Sequence, residues 1–438
     1  MGKVLAPLGR RHPAASVLRM VRVPRDLEPI TSVSDREQDP AAAGMTADGV
    51  ERIWRAAERL FRAGAYPALS LCVQREGTVV LDRALGWARG GGPGEGADGG
   101  DRVPATPDTP FCTFSASKAV TATVVHLLAE RGIVHLDDRV TAYLPEFAGG
   151  GRDAITIAQV LSHRAGIPQL PRDLLDLERL ADPEQILAAI PKLRSLHRPG
   201  AAVAYHTVSG GFVLGEIVRR ATGNDIRTVL AKEILEPLGF RWMNFGVAPE
   251  DVPHVGLSYP TGPRLVPPVS TLATRALGLP WDELVALCND PRFLTGIVPA
   301  GNVVGSAYEM ARFMDLLRRG GTLDGVTVLQ PRTIRRALVE TAYHEFDRTL
   351  GFPVRYSYGY MLGAKALSLY GPDTDEAFGH LGFMNVIMWA DPRRELSVGL
   401  LTSGKTAVGP HLPLLWSLVR RIGLEAPKVD EPLLLRAR

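Results

Sequence analysis

Phe111-Cys112-Thr113-Phe114-Ser115-Ala116-Ser117-Lys118 is the stretch around which this chain is arranged. An apolar, near-extended lead-in runs straight into Ala119–Arg131, where Val120, Val124, Leu127 and Leu128, with Ile133 just beyond, recur at roughly helical spacing. The pattern predicts a buried helix, with Ser115 at or near its N-terminus and Lys118 one turn further on. Residues three apart share a helix face, so the hydroxyl and the amine can meet without a loop having to place either of them. A serine hydroxyl is a poor nucleophile and needs a base. A lysine taken out of water gives up its proton more easily and can serve as that base. The free N–H groups and positive dipole end of the helix start also favour a developing oxyanion. Ser-x-x-Lys also arises by chance, as a capping serine beside a solvated lysine, so the rest of the chain must supply its context.

The 438 residues exceed one ordinary core and suit a large two-lobed enzyme. A hydrophobic share of 45% with 22% charged residues is an ordinary globular balance. The net charge of +3 is too small to indicate nucleic acid. No uninterrupted apolar run approaches the length of a membrane span. Cys72, Cys112 and Cys288 have no metal-ligand spacing, and an odd, sparse set suits a reducing cytoplasm better than a disulfide framework. A cytoplasmic location is therefore expected.

Residues 1–44 read as a basic N-terminal extension and linker. Lys3, Arg10, Arg11, Arg19, Arg22 and Arg25 precede any acidic residue, with Leu5, Leu8, Val17, Leu18 and Val21 interspersed. No continuous apolar core follows, so this is not a secretory signal. One reading is an arm making weak contact with a membrane surface or a partner; the simpler one is a solvated arm packing on the core. Asp35–Gly44 reads as the linker. Thr46 should cap a helix to about Ala63, followed by a hairpin of Ala68–Gln74 and Val79–Trp87. Gly94, Gly96 and Gly99 satisfy G-x-G-x-x-G, but Pro104, Pro107 and Pro110 forbid the helix a nucleotide loop needs. Residues 89–101 are expected to be a surface loop.

Thr156 should cap a short helix that Gly166 and Pro168 stop. His163, at its end, reads as a loop-stabilising residue that bonds nearby backbone. Helical patterns follow at Pro183–Ala189 and Ser209–Thr222. Residues 243–300 are proline-rich without a clear period, as in a lid or pocket wall; Tyr259, Trp281, Phe293 and Leu294 fit a pocket lining or a core equally. A helix is expected over Ser306–Arg319 and a strand over Tyr356–Leu362. Beyond them lie Phe378–Phe383 leading into Asn385–Trp389, a turn at Asp391–Arg394, a strand over Leu396–Thr402 and a last helix over Leu412–Ile422. Strands thus lie towards both ends of the chain and helices fill the centre. The expected fold is α+β: an antiparallel sheet built from both ends and flanked by helices, with an inserted, mainly helical lobe, all within residues 45–424 and followed by a tail at 425–438.

Ser115-x-x-Lys118, Tyr205-x-Thr207 and His380-x-Gly382 appear in the order of the serine beta-lactamase-like hydrolases. The chain resembles their class C, penicillin-binding-protein-like branch, which includes esterases, D-aminopeptidases, D,D-carboxypeptidases and acyltransferases. Leu161–Pro168, Pro299–Asn302 and the strand-turn-strand of Met388–Thr402 match as well, so the resemblance spans roughly residues 45–424. It implies that Ser115 is acylated, that Lys118 and Tyr205 form the base pair that takes its proton, and that backbone N–H groups of Ser115 and Phe383 form the oxyanion hole. It also places Thr207, His380 and Gly382 at the substrate. A phenol can act as a base near neutrality only if a neighbouring ammonium lowers its pKa, which would account for the Lys–Tyr pairing.

Two departures bear on substrate. Thr207 stands where the family usually has Asn, and so lacks the amide that holds a beta-lactam side chain. His380-Leu381-Gly382 stands where true lactamases often carry Lys-Thr-Gly, whose cation helps hold a carboxylate. Lys405-Thr406 is followed by Ala407 and lies after the last strand, so it is read as a decoy. Neutral ester hydrolysis, of esterase or lipase type, is thus the expected activity. An acyltransferase of the same mechanism, a beta-lactamase or D,D-peptidase, and, from another class, a non-catalytic binding protein on the same fold are the alternatives; intact Ser115, Lys118 and Tyr205 argue against the last. The expected partner is a small-molecule ester, and no cofactor, metal or nucleic acid is implied.

Overall fold

The computed structural model of the protein describes residues 18–95, 102–170 and 195–436, with 184–185, 188 and 192 between the last two stretches. Thr46 accepts a hydrogen bond from the Gly49 N–H and opens α1 (Ala47–Phe61), as its capping chemistry predicts. Val50, Ile53, Trp54, Ala57, Leu60 and Phe61 form its buried stripe. The hairpin of β2 (Ala68–Arg75) and β3 (Thr78–Arg89) follows, then α2 (Ser117–Glu130) and α3 (Ser209–Thr222). α4 (Val269–Leu277), α5 (Trp281–Leu287) and α6 (Ala307–Arg318) complete the middle of the chain. The C-terminal part supplies β4 (Ala342–Phe346), β5 (Pro353–Tyr356), β6 (Met361–Leu362), β7 (Phe378–Gly382), β8 (Val386–Asp391), β9 (Leu396–Thr402) and α7 (His411–Glu425).

With β1 (Thr31–Val33), these strands form one antiparallel sheet in the order β4-β5-β6-β7-β8-β9-β2-β3-β1. The two ends of the chain join where β9 pairs β2, from Leu396 opposite Arg75 to Thr402 opposite Leu69. Every residue of β2 and β9 is buried, because both sheet faces are covered. Leu69, Leu71, Val73, Val398 and Leu400 pack with α1 and α7, while Ala68, Cys72, Met388 and Leu401 face the core that holds α2, α3 and α6. The expected architecture is what is found, with the helical segment inserted between the two sets of strands.

Packing continues beyond residues 45 and 424 at both ends. Thr31–Val33 is an edge strand on β3, and Arg62 donates to the carbonyls of Pro24 and Arg25, so the extension is laid on the core from residue 18 onward. Residues 1–17 lie outside the described residues. Arg75, buried, donates to the Ala43 carbonyl, so the supposed linker is also packed. In the tail, Leu434 is buried and the Val429 N–H donates to Arg393. The strand expected over Tyr356–Leu362 is two strands, because Gly359, at φ +106, turns the chain between them. Of the helix expected at Pro183–Ala189, 183, 186, 187 and 189 fall outside the described residues, while 184–185 and 188 are helical; part of the glycine-rich loop also falls outside. No helix among the described residues is long and apolar enough to cross a membrane.

Candidate active site

Ser115 sits in a single 3-10 turn, Phe114–Ala116, that runs directly into α2. The buried face of α2 then aims Lys118 back at it, with Nζ 3.2 Å from the Ser115 Oγ. The same Nζ donates to the Thr207 carbonyl at 2.8 Å and the Ala300 carbonyl at 3.0 Å. Ala300 is held in a turn knotted by Asn302, which is fully buried: its amide donates to Phe293 and Gly296, and its oxygen accepts from the Val298 N–H. Burial pushes the Lys118 ammonium down to about 7. A neutral amine has two N–H bonds and one lone pair. With the two carbonyls taking the N–H groups, the lone pair is left for the Ser115 hydroxyl proton.

Tyr205 lies flat against this amine, with Lys118 Nζ 4.7 Å from its ring centre. Burial raises its phenol well above the ordinary value; the Ser115 hydroxyl pulls the other way, and the Asp347 carboxylate adds to the rise. The expected lowering by an ammonium neighbour is therefore not found. Lys118 is itself pushed towards its neutral form, and Tyr205 keeps its proton at neutral pH. Asp347, fully buried, accepts the Tyr205 N–H at 3.1 Å on each oxygen and takes the Thr349 and Leu350 N–H groups as well. His163 packs its ring 4.6 Å from the Tyr205 ring, and its Nδ1 accepts the His206 N–H. Its part is backbone support, as expected, though the backbone it holds belongs to the tyrosine motif.

Gly382 ends β7 against the serine turn. A Cβ on Gly382 would stand 2.1 Å from the Thr113 carbonyl oxygen, so glycine is what allows strand and turn to approach. Phe383 follows at φ +40, its ring stacked on Phe114 at 5.1 Å, and Phe114 itself has φ +51. Left-handed backbone thus flanks both positions expected to give oxyanion N–H groups, Ser115 and Phe383.

Thr207 and His380, both expected at the substrate, have partners within the protein. The Thr207 hydroxyl donates to the Ala276 carbonyl at 2.6 Å, tying the motif to α4. His380 is buried with its ring 6.4 Å from that of Tyr205; burial, with Lys118 adding, lowers it to about 3, so it is neutral and backs the phenol. Lys405 is buried behind Phe114, 4.6 Å from that ring, and donates to Thr402. Its ammonium is not offered to a substrate. The 243–300 segment contains α4 and α5 and does wall the site: Trp281 packs 4.4 Å from the Phe383 ring. Phe293 and Leu294 belong to the core instead.

Known proteins match the chain in sequence and in fold. A family described as Beta-lactamase matches residues 53–417. Esterase/beta-lactamase LipL of Mycobacterium tuberculosis is 28% identical over 362 residues, covering 79% of each chain. Among solved structures, a family VIII carboxylesterase superposes with a TM-score of 0.73 at 28% identity, covering 86% of this chain and 99% of that one. A penicillin-binding protein homologue from Caulobacter crescentus gives a TM-score of 0.73 at 28% identity, covering 87% and 99%. The chain belongs to the Beta-lactamase family and is a hydrolase on that fold.

Proposed function

We propose that the protein is a serine carboxylesterase that cleaves neutral esters through an acyl-enzyme on Ser115. The observation that carries this reading is the Lys118 amine, 3.2 Å from the Ser115 hydroxyl with two carbonyls occupying its N–H groups. Lys118 takes the Ser115 proton as Oγ attacks the ester carbonyl. The N–H groups of Ser115 and Phe383 receive the negative charge that forms on the carbonyl oxygen. As the intermediate collapses, the C–O bond to the alcohol breaks and the alcohol leaves with a proton passed on by Lys118 and the Tyr205 phenol. Water then repeats the sequence on the acyl-enzyme, giving the acid and free Ser115. The names of the 28% identical relatives, an esterase/beta-lactamase and a carboxylesterase, support the ester as substrate. Three buried free thiols fit the reducing cytoplasm as its location.

A pH dependence follows from Lys118. Its charged form donates to Ser115 and cannot accept the proton, so the active form is the one populated above a pKa of about 7. For a dissolved p-nitrophenyl ester, kcat/KM is expected to fall by about tenfold per pH unit below that point and to level off above it. A profile flat from acid to neutral pH, measured on protein shown to stay folded there, would contradict Lys118 as the base.

Substrate choice follows from where the cations are. Lys405 is buried and His380 is neutral, so neither offers a charge to a carboxylate. p-Nitrophenyl butyrate is expected to exceed nitrocefin in kcat/KM by on the order of 100-fold, since a site lacking the partner for a polar group discriminates at that level or above. A higher value for nitrocefin would restore the lactamase reading.

A further inference from the structure

Two segments hydrogen-bonded to the Tyr205–Thr207 stretch turn apolar side chains to solvent. The first is α4 with its lead-in. Ala276 on its inner side takes the Thr207 hydroxyl, while Val266, Val269 and Leu272, three residues apart, are 65%, 44% and 62% exposed. The second is the turn between β4 and β5. Asp347 holds the Tyr205 N–H and the Arg348 N–H donates to the Val203 carbonyl, while Phe346 and Phe352 on either side are 58% and 47% exposed. Single exposed apolar residues are ordinary, but five on two segments anchored to one catalytic motif mark a surface for contact.

The exposed charge left unpaired on these segments is positive: Asp347 is buried and Glu345 pairs with Arg164. Arg264, Arg275 and Arg348 are exposed and make no ion pair among the described residues. No acidic residue occurs between Thr261 and Trp281. The N-terminal arm reaches the chain here as well: Leu18–Arg19 pairs with Gly262–Pro263, a few residues before α4, and the sequence ahead of it carries Lys3, Arg10 and Arg11 with no acid. A second copy of this chain would set like charge against like charge across a symmetric contact. Exposed apolar residues that share their segments with exposed arginines suit an anionic lipid surface, where each cation adds to the attraction.

We propose that this rim docks on an anionic lipid surface and lets the site draw water-insoluble esters from it. The binding stands on the rim alone, and the choice of substrate rests on the esterase reading, so the two are tested apart. Flotation of Ser115→Ala protein with vesicles measures binding without turnover. Co-flotation is expected with vesicles of phosphatidylcholine and phosphatidylglycerol and at most weakly with phosphatidylcholine alone. Leu272→Asp with Phe346→Asp should weaken binding at least tenfold, and Ala at Arg264, Arg275 or Arg348 by about fivefold each. With Ser115 intact, the Leu272→Asp and Phe346→Asp protein should keep its rate on dissolved p-nitrophenyl butyrate and its thermal midpoint, but lose rate on emulsified tributyrin. No binding to either vesicle, or binding that none of these substitutions weakens, would overturn the proposal. So would sedimentation velocity showing a dimer that Leu272→Asp dissociates, which would assign the rim to a second copy.

Discussion

Ser115→Ala is expected to lower kcat/KM for p-nitrophenyl butyrate by about 10^4-fold or more, the scale on which serine enzymes lose rate without their nucleophile. Covalent labelling by a fluorophosphonate should vanish with it. The fold should remain, because the Lys118 amine beside the hydroxyl keeps its bonds to Thr207 and Ala300 when Oγ is gone. A thermal midpoint close to that of the parent, with turnover and label both lost, separates loss of chemistry from loss of structure. Labelling that persists in Ser115→Ala would place the nucleophile elsewhere.

The second large effect concerns Lys118 and Tyr205 together. The amine lies 4.7 Å from the phenol ring centre, and both groups serve one proton on its way from Ser115 to the leaving alcohol. Lys118→Met and Tyr205→Phe are each expected to cost about 10^3-fold in kcat/KM, and the double variant little more than the worse of the two, since groups sharing one transfer are not additive. Lys118→Met also leaves the Thr207 and Ala300 carbonyls without their donor, at about 1–3 kcal/mol for each buried group, so its thermal midpoint should drop. Tyr205→Phe keeps the ring packed on His163 and Lys118 and should stay close to the parent in stability. Single losses that multiply in the double variant would show two independent roles.

The sheet was legible because its strands carry the signals that decide strands. β2, β8 and β9 are runs of β-branched and apolar residues bounded by turns, and the sheet buries both of their faces. The α2 helix and its serine were legible from apolar spacing. Residues 243–300 were not, because their prolines read as breakers. In the structure Pro268 and Pro280 stand just before α4 and α5, and Pro291 opens another short helix, positions where proline costs nothing because the N–H is unsatisfied anyway. The link from Thr207 to the Ala276 carbonyl of α4 depends on that segment, so it is not legible in the sequence. Asp347 gave no signal. Its role comes from a hairpin tip meeting the tyrosine motif 142 residues away in sequence, which no local pattern encodes. The direction of the phenol's shift is not legible in the sequence because it turns on burial, and burial of Lys118 and Tyr205 together follows from tertiary packing rather than from their spacing.

The central claim is that an ester passes its acyl group to Ser115. Rapid quench of the protein with p-nitrophenyl butyrate, followed by intact mass and peptide mapping, tests it most directly. One butyryl group per chain on the Ser115 peptide, formed and discharged at rates that account for turnover, is the predicted result. Turnover without any adduct, or an adduct carried by another residue, would contradict it.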